Sequence, residues 1–182
     1  MLINQFLKSM KSINKSKQGK RNRINGSRWE AKVRADLESK GWNISRFCNN
    51  VDNEGNIVPA KSTKFRSNTH GFPDFLIWKW VSFPKDLDNI AYVLGEAGEK
   101  WKQVAMNQLK KSNLGSMSFY VIIGVECKSN GYLDKIEKSK GEILIRNGVF
   151  TFLVVAKKSK DEKDKRKVVP KYTIQYKKSY GW

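Results

Sequence analysis

The sequence is poor in the residues that most readily build metal, redox or disulfide centres. It has two cysteines, Cys48 and Cys127, and one histidine, His70. Two cysteines make neither a disulfide framework nor a zinc set, and one histidine excludes any site built on a His pair. A cytoplasmic or otherwise intracellular, reducing location is the default for such a chain. No apolar run approaches the roughly 18 residues of a membrane-spanning helix, so no membrane is expected. The first residues lack the apolar stretch of a secretory signal. They are basic, Ser-containing and acid-free up to Glu30, which mildly resembles an organelle transit segment but reads better as a basic arm. Gly19-Lys20 lacks the rest of a P-loop, so no nucleoside triphosphate site is supported.

Acids are also scarce. Lys and Arg total 36 against 17 Asp and Glu, a net charge of +19 on 182 residues. Self-repulsion of this size destabilises a compact state and is tolerated where an anionic partner exists. Nucleic acid is the first candidate, through phosphate contacts and counterion release, ahead of an acidic membrane surface or an rRNA-rich particle. The hydrophobic fraction of 39% is lean, so part of the chain is expected outside the core.

Three regions follow from composition. Residues 1–26 read as a flexible basic arm, with Leu2, Ile3, Phe6, Leu7 and Met10 at a short amphipathic spacing ahead of "KSKQGKRNRINGSR". Its cations, with Arg28 and the loop residues Lys64 and Arg66, are the candidate phosphate contacts; those named in the arm are Lys17, Lys20, Arg21 and Arg23. A solvated arm and a solvated loop are the bland alternatives. Residues 27–156 read as one α/β domain, and residues 157–182 as a basic tail with an edge strand over 172–176. Within the domain, the spacing predicts a helix over 27–40, with Ser27 as N-cap and Trp29, Val33 and Leu37 on one face. "WNISRF" reads as a short strand, 49–70 as a loop or hairpin, and 96–111 as a helix. "FYVIIGVECK" is a continuous apolar strand, buried on both faces. A helix over 133–147 and the strand "VFTFLVVA" follow, a βαβ unit with a parallel strand pair. The aromatics Trp78, Trp80, Phe150 and Phe152 are expected in the core.

Two stretches carry an oddity. "HGFPDFLIWKW" (70–80) opens an apolar strand with the carboxylate of Asp74, behind a rigid proline. "YVIIGVECKSN" (120–130) ends one with Glu126, Cys127 and Lys128. Alternation puts Glu126 and Lys128 on the same face and Cys127 on the other. A strand ending in solvent with an incidental ion pair would explain the second stretch alone. If the two strands are neighbours, two hard oxygen donors and a lysine converge at one sheet end. Such donors suit Mg²⁺, with Mn²⁺ as a substitute, and the lysine can position or deprotonate a water or offset developing charge. With a polyanionic partner, that set describes phosphodiester hydrolysis.

Pro73-Asp74 followed by Glu126-Cys127-Lys128 resembles the motif of the PD-(D/E)XK nuclease superfamily. The spelling "GFPDFLI…GVECKSN…LDKIEKSKGEILIRNG" is nearest in pattern to its Holliday junction resolvase and VRR-NUC branches. The resemblance covers about residues 27–45, 70–80 and 119–156. It implies a restriction-endonuclease-like core with a central mixed sheet flanked by helices, and Mg²⁺-dependent DNA endonuclease activity. It implies metal at Asp74 and Glu126 with the Cys127 carbonyl as a further ligand, and Lys128 beside the water.

Two further acids fit less simply. Glu137 stands where those branches carry a Gln on the following helix; it would bond the water or the lysine, or be a helix-surface acid. Glu30 matches a glutamate often found on the first helix, but Ser27-x-x-Glu30 also reads as a capping box. The 51 residues between Asp74 and Glu126 (75–125) exceed the family's short link, so 81–118 is expected to be an insertion. Its lysines 100, 102, 110 and 111 suit a DNA clamp or a homodimer contact, or decorate a surface. Junction cleavage by a dimer, sequence-specific cleavage of homing or restriction type, and a non-enzymatic basic DNA-binding protein are the alternatives.

Overall fold

The structure, a computed structural model, describes residues 2–60, 71–112 and 116–177. Lys64, Arg66 and His70 lie outside the described residues. In chain order the elements are α1 (Leu2–Ser39), β1 (Asn43–Arg46), β2 (Asn49–Val51), β3 (Ile57–Pro59), β4 (Phe75–Phe83), α2 (Leu87–Leu94), α3 (Glu96–Ser112), β5 (Met117–Cys127), α4 (Lys135–Arg146), β6 (Phe152–Lys160) and β7 (Val168–Lys177). The fold is α/β. Five strands form a mixed sheet in the order β1-β4-β5-β6-β7, and β2 with β3 makes a separate hairpin. The β5–β6 pair is parallel, as the βαβ reading expects; the other pairings are antiparallel.

Two apolar layers sandwich the sheet. On one face, Trp29, Val33 and Leu37 of α1 join Leu87, Ile90, Val93 and Leu94 of α2, packed on Ile77, Val81, Ile123, Val125 and Val154. On the other, Leu144 and Ile145 of α4 meet Phe47 and Val51 beside Leu153 and Val155. Strand alternation assigns each side chain of β5 to one layer or the other.

Three expectations are corrected. First, residues 1–26 are not a separate flexible arm: from Leu2 they are helical and continuous with α1. The run contains no proline. Once Trp29, Val33 and Leu37 anchor the helix, propagation adds residues at little cost, and Gly19 and Gly26 cost only about 1 kcal/mol each against Ala. Ser27 is therefore inside a helix and caps nothing. Second, of the readings left open for segment 81–118, mere surface decoration does not hold. The hairpin strands continue through it to the pair Phe83↔Met117, and α2 buries Leu87, Ile90, Ala91, Val93 and Leu94. Gly98 has a steric reason to be glycine, since a Cβ there would meet the Ala91 carbonyl oxygen at 2.4 Å where α3 crosses α2. Third, residues 157–177 are largely sheet: β6 runs to Lys160, and the edge strand expected over 172–176 is present but longer, as β7, with Tyr172 in the core. Alternation of short apolar and polar residues in "VVPKYTIQY" outweighs the surrounding lysines, whose stems and heads stay at the surface.

Phe150 and Phe152 are buried as expected, but Trp80 is 53% exposed and stacks edge-to-face on the exposed Tyr120. Its strand projects past β1, which pairs only as far as Trp78.

One polar clip ties three elements together. The Asp36 carboxylate on α1 accepts from the hydroxyl of Tyr172 on β7 at 2.7 Å and from that of Tyr92 on α2 at 3.1 Å. Burial first, then the Asp36 bond and charge, push the Tyr172 hydroxyl pKa up, so it stays a donor. Asp36→Ala leaves that buried hydroxyl without its acceptor. The expected loss is about 2 kcal/mol in urea unfolding, and a loss below about 0.5 kcal/mol would show that the clip is not a holding interaction.

Candidate active site

The register of the sheet builds the site. Phe75 pairs with Val125, so the residues next along, Asp74 and Glu126, face each other across the end of the β4–β5 pairing. Two reciprocal bonds lock them. The Asp74 backbone N–H donates to Glu126 Oε2 at 3.1 Å, and the Cys127 backbone N–H donates to Asp74 Oδ2 at 2.8 Å. The approach to Asp74 is equally constrained. Gly71 N–H donates to the Phe47 carbonyl, and Phe72 N–H to that of Asn49. A Cβ on Gly71 would sit 2.0 Å from the Asn49 oxygen, so only glycine permits this close passage of two backbones.

Lys128 completes the cluster. Its Nζ lies 3.1 Å from Glu126 Oε1 and also donates to Glu137 Oε1. Glu137 is fixed by its position as N3 of α4. Asp134 accepts from the Glu137 N–H at 2.8 Å, while Glu137 Oε2 accepts from the Asp134 N–H at 3.0 Å, a reciprocal capping box. One carboxylate thus closes the helix end and orients the lysine. Of the readings open for Glu137, the bond to the lysine is the one present.

Glu30 stands apart from this group. With Ser27 inside α1, the capping-box reading of Glu30 fails. Its carboxylate lies 3.7 Å from the Arg46 guanidinium, a loose pair on the α1 side of the sheet. Its charge is one of those raising the Cys127 thiol pKa; burial is the largest cause. Cys127 points to that same layer, and its thiol is held neutral. The sequence reading passed over Arg46. It ends the strand "WNISRF", and only the β1–β4 pairing, Arg46↔Phe75, brings it next to Asp74. Lys17, Lys20, Arg21, Arg23 and Arg28 are exposed along α1.

The electrostatics are unusual for a sheet end. Glu126 is 7% exposed. Burial, and then the charge of Asp74, push its carboxyl up to about 8, against the opposing pull of Lys128. Burial works against the Lys128 ammonium, but its bonds to Glu137 and Glu126 outweigh this and raise its pKa. Lys128 is therefore a cation and a donor at neutral pH.

Among the described residues, no group of three or more His, Cys, Asp or Glu side chains is placed to hold a metal ion. The Asp74–Glu126 pair nevertheless fits a hard divalent cation. Both are oxygen donors at one sheet end, and their mutual repulsion is the kind of strain a cation relieves. Among the described residues no helix is long and apolar enough to cross a membrane. Comparison with protein-family models, with curated proteins and with solved structures gave no match to this chain.

The Glu126 shift has a sign that can be measured on metal-free protein. Folded Glu126 binds its proton more tightly than the unfolded carboxyl, whose value is near 4.5. Between about 4.5 and about 8 the folded state holds the extra proton, so stability falls as pH rises through that window. Glu126→Gln removes this contribution. In EDTA, its melting temperature should fall less than that of the wild type between about pH 5 and about pH 9. Equal falls would mean that Glu126 is not a buried, strained acid.

Proposed function

We propose that the chain is a Mg²⁺-dependent DNA endonuclease with a PD-(D/E)XK site, in a core of restriction-endonuclease type. The observation that carries this reading is the meeting of Asp74, Glu126 and Lys128 at one end of β5. Asp74 and Glu126 stand 52 positions apart in the chain yet are hydrogen-bonded to each other, with the lysine on the same carboxylate. The net charge of +19 supports a polyanionic substrate and an intracellular place with access to DNA.

Asp74 and Glu126, with the Cys127 carbonyl, would hold Mg²⁺, and Mn²⁺ would substitute. The bound ion would supply Lewis-acid polarisation of the phosphodiester and a more acidic water. The remaining work falls to this chain's own groups. Lys128, raised in pKa, is a hydrogen-bond donor rather than a base. It holds the attacking water by its lone pairs and offsets the negative charge that builds on the phosphoryl oxygens. Glu137 keeps the ammonium aimed by occupying one of its three N–H bonds, and its own position is set by the α4 cap. Glu30 acts at most at a distance, on the other face of the sheet, with Arg46 beside it.

The second reading is a basic nucleic-acid-binding protein whose acids only tie the sheet end together. It is favoured by the internal bonding of both Glu126 oxygens, one to Lys128 and one to the Asp74 N–H. The two readings part in a cleavage assay on plasmid and on branched synthetic DNA with Mg²⁺ or Mn²⁺. Lys128→Ala should lower cleavage by about 10²- to 10³-fold, and Asp74→Ala by at least as much, while DNA binding in EDTA persists. Cleavage that survives both substitutions, or is absent from the wild type with either metal, sinks the nuclease assignment.

A further inference from the structure

The N-terminal half of α1 presents one face that nothing in the site uses. In a regular helix of 3.6 residues per turn, positions 17, 20, 21, 24 and 28 fall within roughly 100° of arc. They are Lys17, Lys20, Arg21, Ile24 and Arg28. Every residue from 17 to 28 is exposed, and the chain carries no acid before Glu30. Ile24, 52% exposed, lies near the middle of the arc, with Lys20 to one side and Arg21 and Arg28 to the other. The core-facing line of the same helix, Trp29–Val33–Leu37, lies roughly 160° around from this face. The sheet packs on that core-facing line, so the cationic face points away from the sheet that carries Asp74 and Glu126.

Like charges at these spacings repel along a helix surface, and a stretch exposed at every position gains little packing in return. An anionic surface offsets that repulsion. The shape narrows which surface. From Lys17 to Arg28 the rigid array rises about 16 Å, and an α-helix fits the major groove, which is about 12 Å wide. There, flanking cations reach the phosphates on either wall, while an apolar side chain at the centre meets base edges such as the thymine methyl. A single strand offers no groove, and a membrane surface gives Ile24 no reason to sit alone among cations.

We propose that this outward face of α1 is a second DNA-binding site, separate from the rim, that seats in the major groove of duplex DNA. The choice of DNA rests on the function proposed above; the face itself rests on the helix. Facing away from the rim, it holds a duplex segment other than the one at Asp74 and Glu126.

The test is binding of the full-length chain to a fluorescent duplex of about two turns, in EDTA so that cleavage plays no part. Lys20→Ala/Arg21→Ala/Arg28→Ala removes three charges from the face. Lys163→Ala/Lys165→Ala/Arg166→Ala removes three from the exposed turn between β6 and β7. Between about 50 and about 200 mM salt, the helix triple variant should lose about 3 from the log–log salt slope, and the turn variant less than about 1. Ile24→Ala should weaken duplex binding about 3- to 10-fold with the slope kept, as for a lost base-edge contact. Equal slopes for the two triple variants would mean net charge alone and overturn the site. So would equal affinity for single strands, or binding to anionic vesicles with none to duplex. A helix variant that binds poorly while Lys128→Ala binds normally separates this site from the rim. Absence of cleavage by the wild type would overturn the nuclease reading and leave this one standing.

Discussion

The antiparallel register of β4 on β5 is the constraint on which the rest of the site depends. Nine residue pairs run from Phe75↔Val125 to Phe83↔Met117, and the ladder ends where Asp74 meets Glu126. At that end, side chains take over the role of the backbone. Each carboxylate accepts an N–H from the neighbouring strand, so two acids do what carbonyls do elsewhere in the sheet. A slip of one residue would move Glu126 to the α1 layer and aim Cys127 at α4. The apolar alternation of β5, with Val121, Ile123 and Val125 all buried in one layer, forbids that slip. The core thus fixes the register, and the register fixes the acids.

Holding these acids at a sheet end is costly, and the structure shows how the cost is contained. Glu126 is desolvated and faces a second carboxylate, which is why its carboxyl titrates so high. Lys128 offsets part of this, and Glu137 in turn anchors Lys128. Glu137 is itself immobilised by the α4 cap with Asp134. The chain of bonds Asp74–Glu126–Lys128–Glu137–Asp134 joins β4, β5 and α4 end to end. Burying a polar network is favourable only when each member is satisfied, and such a network is then rigid. Rigidity is what a site needs if its acids are to wait for a cation in a fixed place.

Much of this was legible in the residues. The long apolar strand ending in "VECK", the helix after it and the parallel β6 followed from run length and period alone, because buried strands and amphipathic helices leave strong patterns. What failed were the places where one short motif fits two contexts. Ser27-x-x-Glu30 and Asp134-x-x-Glu137 have the same spacing, yet only the second is a helix start. The difference lies in what precedes them: Asp134 follows the non-helical stretch 128–133, whereas Ser27 follows a run that can already be helical. The helix α2 has buried residues at 87, 90, 91, 93 and 94, but it spans only 8 residues, too short for its period to stand out from the sequence. Trp80 fits a core position by residue type, and only the strand pairing leaves it about half exposed, past the end of β1. The Glu30–Arg46 pair joins two consecutive elements, α1 and β1, and local pattern does not tell which charges of neighbouring elements come within reach.

On the proposed reading, the excess of positive charge and the acidic rim require each other. A phosphodiester brought beside the rim would meet the charge of Asp74, and that of Glu126 as well once its raised carboxyl gives up its proton. The +19 of the chain delivers the phosphate to the surface but does not change the sign at the rim. Lys128 alone cannot reverse it, because Glu126 and Glu137 already divide its charge between them. A divalent cation adds two positive charges at the one point where the chain has gathered its acids, and so turns a repulsive corner into one that accepts a phosphate. On the proposed reading the distribution of charge suits metal dependence, and the lysine is what then remains to act on the water.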